Sequence, residues 1–514
     1  MVLHTRAMAQ RYGWTVVVIL LLLQLFLRTV HVTAQGVFVD EAFHTMVGTT
    51  VWHPGADPIS FQEGKTLVYY YFGLFLAGST TALFISRTAI ALFSLVSGAV
   101  VYQLGCTFHS HAAGIVALII YAILPFTFFY ERMALADPLA AGFGCLVAWR
   151  SLAFARHPRW RDGVILGLLL ALATLAKLTN GLFPLLPVIT SIIYFPVLSW
   201  TPRQRVVWWL RRYFPPLALA AAVMIGCWLP VVIQIMAIHG RLVAAMNVAT
   251  DTPFDIPGLL AYIAAMLHDT AEYTSPAFFA AVALASFYLL FNKKSVQAGF
   301  FLIFWLAIST LLIFAAATLV ASRYLLSGAA PLIVILAVAV TDVWQRAGRL
   351  PARAALGVMA AGWLVVFVVP FLYTAITKPT NLPLTGQNYA YYIGGTLNAD
   401  ETTIQAARVL DNADPLIKPD PSVKVVYGDV LVCRLIYSYM QRPVTCLAGS
   451  ISRQIMAADL APGESAYLVM YDAGAGLKGI DGVCSNPFVR FAHVRSYSID
   501  IWRLHLAPCS ADQK

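Results

Sequence analysis

Long apolar runs alternate with short polar loops over the first 375 residues of the chain. A helix needs roughly 20 apolar residues to cross a bilayer, and shorter segments are accepted inside a packed bundle. We therefore predict eleven transmembrane helices, near residues 14–33, 87–105, 112–130, 137–153, 163–177, 181–199, 214–237, 275–291, 297–317, 324–341 and 355–374. A further apolar stretch, Leu67–Phe84, is predicted to lie along the outer surface, because its three consecutive tyrosines suit an interface and a span here would reverse every later loop.

The pattern changes at about residue 376, where polar residues return and no long apolar run follows. The periodicity there predicts a small α/β domain with two helices, Thr402–Asp411 and Val430–Met440. It also predicts five strands, Val423–Tyr427, Val444–Leu447, Ala466–Tyr471, Val489–Val494 and Ser498–Arg503. The expected organisation is a polytopic α-helical membrane domain over 1–375, with a first outer loop at 34–86, and a soluble domain over 376–514.

Basic residues are distributed unequally between the two sets of loops. The side with more Lys and Arg faces the cytoplasm. With a cytoplasmic N-terminus, six basic residues lie outside: Lys65, Arg87, Arg132, Lys177, Arg241 and Arg323. Fifteen lie inside: Arg6, Arg11, Arg150, Arg156, Arg159, Arg161, Arg203, Arg205, Arg211, Arg212, Lys293, Lys294, Arg346, Arg349 and Arg353. We therefore predict an extracytoplasmic C-terminal domain, with Arg28 snorkelling from the outer end of the first helix.

A second interpretation of the N-terminus stays open at this point. Residues 1–34 have the basic start, apolar run and small residues of a secretory signal peptide. Cleavage would leave every downstream segment on the same side of the membrane, although a multispan protein has no need of it. The soluble tail and the short loops favour a bacterial plasma membrane.

Composition agrees with a membrane location. Apolar residues make up 60% of the chain and charged residues only 11%, against about 25% charged in soluble proteins. The formal charge of +10 could suggest nucleic acid, but the excess lies in short loops. The sequence has no Gly-rich phosphate loop, zinc-finger spacing or long basic tract, so the bilayer is a predicted partner and nucleic acid is not.

Four of the seven cysteines fall in the soluble domain: Cys433, Cys446, Cys484 and Cys509. In an oxidising compartment four cysteines permit two disulfides in any of three pairings. Buried free thiols are an equally good interpretation of the sequence.

Several ionisable residues fall on the predicted outer face, where charged groups near a membrane are costly and often functional. They are Asp40, Glu41, His44, Glu63, Lys65, Glu131, Arg132, Asp137, Lys177 and Arg323. Carboxylates can accept a proton or hold a metal, while Lys and Arg can bind a phosphate. Each has a purely structural alternative: helix starts at Asp40-Glu41 and Asp137-Pro138, and interfacial anchors at Lys177 and Arg323. Their convergence on one face favours a site.

At these residues the chain resembles the protein O-mannosyltransferase and aminoarabinose transferase superfamily, whose members are glycosyltransferases of the GT-C fold. The resemblance covers roughly residues 14–345. It is carried by an Asp-Glu pair after the first span, Gly-Lys-x-x-x-Tyr-Tyr in the first loop, Arg-x-x-x-x-Asp-Pro at the fourth span and an Arg-Tyr that opens a late span. The chain has Lys65-Thr66-Leu67 where relatives often have Lys-Pro-Pro.

The resemblance implies an inverting transfer of a sugar from a polyprenyl-phosphate donor on the outer side. Its implied catalytic residues are Asp40 as base or acceptor-orienting group, Glu41 in support, and Asp137 near the acceptor or a metal. Those implied for the donor phosphate are Lys65, Lys177, Arg323 and Tyr324. A divalent metal stays open, with Asp40, His44 and Glu63 as candidate ligands. The sugar is open, and so is the acceptor, which could be a protein, a glycolipid or a polysaccharide.

Two other functions are weighed against this one. A transporter or flippase of a lipid-linked saccharide would also need many spans and basic residues near a lipid phosphate. Such proteins often show internal repeats and mid-membrane sites, whereas this chain shows no convincing repeat and its ionisable groups sit at the outer rim. A non-enzymatic scaffold would leave that group unexplained.

Overall fold

A computed structural model describes most of the chain. The described residues are 2–53, 65–75, 79–195, 201–239, 256–316, 320–347, 350–394, 397–413, 416–417, 423–447, 464–471, 483–492 and 498–506. By its internal contacts the chain divides into two compact units. The first comprises residues 1–32, 55–71 and 87–384; the second comprises 33–54, 72–86 and 385–514. Parts of the predicted first outer loop thus group with the C-terminal residues.

Helices form most of the described chain up to residue 377. They are α1 Val2–Thr29, α2 Val39–Thr50, α3 Thr66–Gly73, α4 Ser79–Phe108, α5 His111–Ile123, α6 Pro125–Tyr130, α7 Ala136–Arg156, α8 Trp160–Ala176, α9 Leu185–Ile193, α10 Pro202–Arg212, α11 Phe214–His239, α12 Ile256–Thr274, α13 Pro276–Phe291, α14 Val296–Ala316, α15 Ala329–Arg346, α16 Leu350–Trp363 and α17 Val369–Thr377. A π-helical turn, Leu364–Val368, joins α16 to α17. Two short 3-10 helices, Leu178–Leu182 and Ser322–Gly328, precede α9 and α15.

Helix falls in each of the eleven predicted segments, and the chain is an integral membrane protein. Among the described residues, six helices are individually long and apolar enough to cross a bilayer, and a bent pair raises the number to seven. The six are Thr81–Phe108, Ala136–Arg156, Phe214–Gln234, Val296–Phe314, Ser322–Arg346 and Pro351–Thr377. Eleven full spans therefore stay a prediction.

Three helix predictions differ from the structure. Leu67–Phe84 is not one surface helix, because α3 ends at Gly73 and α4 begins at Ser79. The segment 112–130 is broken at Leu124, where Pro125 starts α6; proline lacks the N–H that would continue the helix.

The third difference lies near residue 275. The sequence pattern does not predict the helix α12 that precedes this point, and α12 and α13 meet at an angle of 106°. Ser275 makes this bend with a positive φ of 72°, and its hydroxyl accepts the backbone N–H of Phe278, which caps α13. The cap gives the Phe278 N–H, one of the donors that a helix start leaves unpaired, a partner at the bend.

The helix α1 is packed into the first unit. Val17 lies in an apolar cluster with Tyr102 of α4 and Leu118 of α5. Two turns further along the same helix, the buried Gln24 amide donates to the backbone carbonyl of Ser94 at 3.0 Å. Val17 and Gln24 of α1 thus belong to the folded core of the first unit.

The C-terminal residues form an α/β domain with the five predicted strands. Its elements are α18 Gly386–Tyr392, α19 Glu401–Leu410, β1 Val423–Asp429, α20 Val430–Tyr437, β2 Val444–Leu447, β3 Ser465–Tyr471, β4 Val483–Ala492 and β5 Ser498–Leu506. The sheet order is β2-β1-β3-β5-β4, with β1 parallel to both neighbours and β5 antiparallel to β3 and β4. The fourth strand begins earlier than the sequence pattern predicts, at Val483.

A disulfide links α20 to β2 in this domain. Cys433 of α20 is bonded to Cys446 of β2, which selects one of the pairings left open by the sequence. Cys484 is also disulfide-bonded, and Cys509 lies outside the described residues. The interpretation as buried free thiols is therefore wrong for Cys433, Cys446 and Cys484.

Candidate functional site

Asp137 and Lys177 form an ion pair at one end of two neighbouring helices. Asp137 lies in the first turn of α7, and Lys177 directly follows the last residue of α8. The Lys177 ammonium donates to Asp137 Oδ1 at 2.5 Å, and the two side chains are only 12% and 7% exposed. Because the pair is largely removed from water, its attraction is screened less than that of a surface pair.

A third segment completes this arrangement. Tyr324 lies in the 3-10 helix that precedes α15, and its ring centroid is 4.0 Å from Lys177 Nζ. Arg323 Cζ lies 5.4 Å from the same centroid. Both cations are within the range of a cation–π interaction. We call Asp137, Lys177, Arg323 and Tyr324 the lysine cluster.

The 3-10 helix that carries Arg323 is fixed to the rest of the unit. The Ser322 hydroxyl is hydrogen-bonded to the Tyr130 hydroxyl of α6 at 2.7 Å. Arg323 itself is buried, with 7% of its surface exposed. The lysine cluster holds two cations and one carboxylate, so its formal charge is +1. This arrangement can hold an anion such as a phosphate.

The loop that leads into Asp137 is anchored to α1 by a buried ion pair. Arg28 Nε donates to Glu131 Oε2 at 2.6 Å, and both side chains are essentially inaccessible, at 0% and 1%. Arg28 also donates to the carbonyls of Ala122 and Tyr121, at 2.8 and 3.1 Å. The Tyr121 hydroxyl donates to the other oxygen of Glu131. The expectation that Arg28 snorkels is therefore wrong: a carboxylate 103 residues away gives it a partner inside the protein.

Arg132 reinforces the same attachment. Its guanidinium donates to the backbone carbonyls of Leu27 at 2.7 Å and His31 at 3.1 Å. These are among the last carbonyls of α1 and its following turn, which have no partner within the helix. Glu131 and Arg132 together hold the residues just before Asp137 against the end of α1. The sequence singled out both residues on the outer face but gave no sign of this positioning role.

In the second unit, Glu41 starts the helix α2. Its carboxylate is fully buried and accepts the backbone N–H of Phe38 at 3.1 Å. This contact satisfies a donor that the helix leaves unpaired, and an acid also suits the positive end of the helix dipole. Glu41 thus has the structural function that the sequence offered as an alternative. Asp40, beside it, is half-buried.

The start of α2 is held by residues of the C-terminal domain. Val39 donates its N–H to the Leu397 carbonyl at 2.8 Å, and Ala399 donates to the Val37 carbonyl at 2.8 Å. The Val37 N–H in turn donates to the Tyr439 hydroxyl at 3.1 Å. The backbone just before Asp40 is therefore held by three hydrogen bonds.

The described residues do not complete a metal site of the kind the sequence left open. Asp40 and His44 are four residues apart on α2, a spacing that places both on one side of a helix. The third candidate, Glu63, lies outside the described residues. No group of three or more His, Cys, Asp or Glu side chains is placed to hold a metal within the parts of the chain that the structure covers. Lys65 directly precedes α3 and is half-buried.

Comparison with solved structures identifies the fold. ArnT from Cupriavidus metallidurans bound to undecaprenyl phosphate superposes with a TM-score of 0.59 at 14% identity, over 95% of this chain and 98% of that one. Its apo state gives 0.58 at 13% identity, over 96% and 98%. The Archaeoglobus fulgidus oligosaccharyltransferase in complex with Zn and sulfate gives 0.53 at 13% identity, over 88% of this chain and 67% of that one.

Sequence comparison agrees over part of the chain. Residues 67–234 match the family model of dolichyl-phosphate-mannose-protein mannosyltransferases. This range includes Asp137 and Lys177. No curated protein matches the chain in sequence. The chain therefore has the GT-C fold of a polytopic membrane protein, and its resemblance to the protein O-mannosyltransferase and aminoarabinose transferase superfamily is confirmed.

Proposed function

We propose that the protein is an inverting glycosyltransferase, which moves a sugar from a polyprenyl-phosphate donor to an acceptor on the extracytoplasmic face of the membrane. The observation that carries the proposal is the lysine cluster, formed by four residues from three segments of a GT-C fold. It places two cations and a stacking ring where helices α7, α8 and α15 begin or end. ArnT of the same fold, bound to undecaprenyl phosphate, supports the choice of lipid.

The chemistry of the transfer explains why such a cluster is useful. An acceptor oxygen or nitrogen attacks the anomeric carbon while the bond from that carbon to the phosphate oxygen breaks on the opposite face. The leaving polyprenyl phosphate gains negative charge, and the acceptor loses a proton to a base. Cations that are already in position stabilise this charge as it develops, without reorganising at the moment of reaction.

Within the lysine cluster we assign separate tasks. Lys177 and Arg323 bind the donor phosphate, and Tyr324 holds their charged groups over its ring. Asp137 accepts a hydrogen bond from Lys177 and orients its ammonium, which makes it a positioning residue. Lys65 is proposed for the same phosphate on the resemblance alone.

The base is proposed from the resemblance and from the setting of α2. Asp40 matches the first-loop acid of the superfamily, and it is a half-buried carboxylate that directly follows a hydrogen-bonded backbone segment. We assign Asp40 the role of the base that takes the proton from the acceptor, while Glu41 supports it by capping α2. Asp40, His44 and Glu63 stay candidate ligands of a divalent metal, and no step of this mechanism uses one.

The membrane orientation is inferred from the ends of the helices. Asp137 and Lys177 mark one end of the pair α7 and α8, while Arg156 and Arg159 mark the opposite end. By the positive-inside rule the arginine end faces the cytoplasm. The lysine cluster then faces outward, and a bacterial plasma membrane is the proposed location. The acceptor is a protein, a glycolipid or a polysaccharide.

The test is sugar transfer in liposomes from a synthetic polyprenyl-phosphate sugar, comparing wild type with Lys177→Gln. Loss of one preorganised donor to developing charge typically lowers kcat by about 10²–10³. Arg150→Gln is a matched control, because Arg150 pairs with Asp162 and so joins the same two helices at their other end. We expect it to keep most of the activity.

Two results would overturn the proposal. Equal losses in Lys177→Gln and Arg150→Gln would show that the lysine cluster only holds α7 and α8 together. Movement of the polyprenyl-phosphate sugar between leaflets with no sugar transfer, for several donor sugars, would instead favour a flippase.

A further inference from the structure

The helix α10 carries a dense group of exposed arginines. Its sequence, Pro-Arg-Gln-Arg-Val-Val-Trp-Trp-Leu-Arg-Arg, holds four arginines and no acid. Thr201 and Gln204 cap its start through reciprocal side-chain bonds to each other's backbone N–H. The cap and the two arginines of the last turn both stabilise a helix of this length. The charge is therefore displayed on a defined helix.

Aromatic contacts fix α10 to the first unit along one side. Trp209 Nε1 donates to the Ser191 hydroxyl of α9 at 2.9 Å. Tyr213, which directly follows α10, donates its hydroxyl to the Ala155 carbonyl of α7 at 2.8 Å and packs against Phe154. These contacts hold α10 at the C-terminal end of α7, which is the end opposite Asp137.

The rest of α10 is open. None of its residues is buried, and all four arginines, Arg203, Arg205, Arg211 and Arg212, are exposed. Large apolar side chains are exposed beside them: Val206 at 58%, Val207 at 40% and Leu210 at 45%. Such a mixture is costly against water alone but suits the boundary between lipid headgroups and acyl chains.

Two of the arginines border an open depression on the surface of α10. Arg203, Gln204, Val207, Trp208 and Arg211 line this depression, which has a volume of about 370 Å³. A guanidinium group can bind a phosphate, and Val207 and Trp208 lie between the two arginines in the sequence as apolar surface for glycerol and acyl carbons.

The turn between α7 and α8 adds charge of the same sign. Arg156, Arg159 and Arg161 are exposed there. Its acid, Asp162, is buried and pairs with Arg150. The described residues at this end of α7 and α8 therefore present positive charge with no exposed acid to offset it.

We propose that α10 is a binding site for anionic phospholipid headgroups in the membrane leaflet at this end of the molecule. The position of α10 in the chain selects this ligand over a soluble one. The apolar span α11 begins at Phe214, two residues after Arg212, so α10 lies where headgroups are concentrated. A basic helix beside a span attracts anionic lipid by charge and by apolar contact. The proposal is independent of the proposed glycosyltransferase activity.

The test measures lipid binding to the purified full-length protein in detergent by native mass spectrometry. Phosphatidylglycerol is titrated and compared with phosphatidylcholine of the same acyl chains and with soluble glycerol 3-phosphate. We expect wild type to prefer phosphatidylglycerol over both. Each arginine near a headgroup contributes about fivefold in affinity, so Arg203→Gln combined with Arg211→Gln is expected to weaken binding about 25-fold.

The control variant also loses two positive charges, but at a different turn of the protein. Lys293 and Lys294 are exposed in the turn between α13 and α14, and changing both to Gln is expected to alter the affinity less than threefold. Replacing Arg203 and Arg211 by Lys keeps the charge and should retain most of the binding, which covers the case that the Gln variant unfolds.

Three outcomes would overturn the proposal. One is an equal loss in the arginine and lysine variants, which would mean unspecific attraction. Another is equal binding of phosphatidylcholine or glycerol 3-phosphate, which would exclude an anionic lipid site. The third is unchanged phosphatidylglycerol binding together with a protein partner crosslinked to α10, which would make α10 a protein interface.

Discussion

Replacing Arg28 by methionine is expected to destabilise the protein in a way that depends on pH. Methionine fills a similar volume, but it leaves the Glu131 carboxylate buried without its cation. Removing one partner of a buried pair is strongly destabilising, because the remaining charge has no compensation. In wild type both side chains are inaccessible to water, so solvent cannot replace the lost partner.

The magnitude follows from the chemistry of Glu131. In the wild type, burial raises the pKa of Glu131 although the charge of Arg28 lowers it. Arg28→Met removes this lowering, so we expect the carboxyl to take up a proton in the folded state. Protonating a group with an unfolded pKa of about 4.3 costs about 4 kcal/mol at pH 7 and about 1 kcal/mol at pH 5. The buried Glu131 carboxylate can therefore destabilise Arg28→Met by no more than this cost of protonation. The carbonyls of Ala122 and Tyr121 also lose a donor, which adds about 2 kcal/mol.

We therefore expect a loss of about 6 kcal/mol at pH 7 and about 3 kcal/mol at pH 5. The loss is larger at pH 7 because Glu131 has a raised pKa in the folded variant. Such a group contributes its full stability below its unfolded pKa, and this stability is lost as the pH rises towards the folded pKa. Free energies of unfolding from SDS titration in mixed micelles, at both pH values, measure the effect.

Glu131→Gln provides the matched comparison. It strands the guanidinium of Arg28, which stays charged at every accessible pH, so its destabilisation should not change between pH 5 and 7. The double variant buries no charge and should recover about 4 kcal/mol relative to Arg28→Met at pH 7. A loss in Arg28→Met that is the same at both pH values, or strict additivity in the double variant, would refute the buried ion pair.

Three further predictions concern the second unit. Asp40→Asn should lower kcat for sugar transfer by about 10²–10⁴ through loss of the base, while the melting temperature stays unchanged; full activity would remove Asp40 from the mechanism. Cys433→Ser opens the disulfide that spans 13 residues and should destabilise this unit by about 3 kcal/mol, measured by proteolysis of the soluble domain with and without reductant; equal rates in variant and wild type would contradict it. Gly36→Ala would place a methyl group 1.8 Å from the Ala399 carbonyl oxygen, so we expect about 3 kcal/mol of destabilisation in the same proteolysis assay, and wild-type resistance would show that the backbone there can shift.

Local sequence patterns are enough to establish the class of the protein and most of its elements. Long apolar runs predict membrane helices because the bilayer cannot satisfy an open backbone, and alternation with β-branched residues predicts all five strands of the soluble domain. These are local properties, in which each segment carries its own signal. The family resemblance also singles out Asp137, Lys177, Arg323 and Tyr324, without showing that their side chains lie together.

Which of these groups meet depends on the packing of the whole chain. The pairs Arg28–Glu131 and Asp137–Lys177 join residues 103 and 40 positions apart, and no local pattern encodes such a pairing. The sequence therefore predicts Arg28 at the membrane surface, although the fold supplies a buried carboxylate that makes its burial favourable. The pairing of Cys433 with Cys446 is settled in the same way, because several partners are equally good until packing brings two of them into contact.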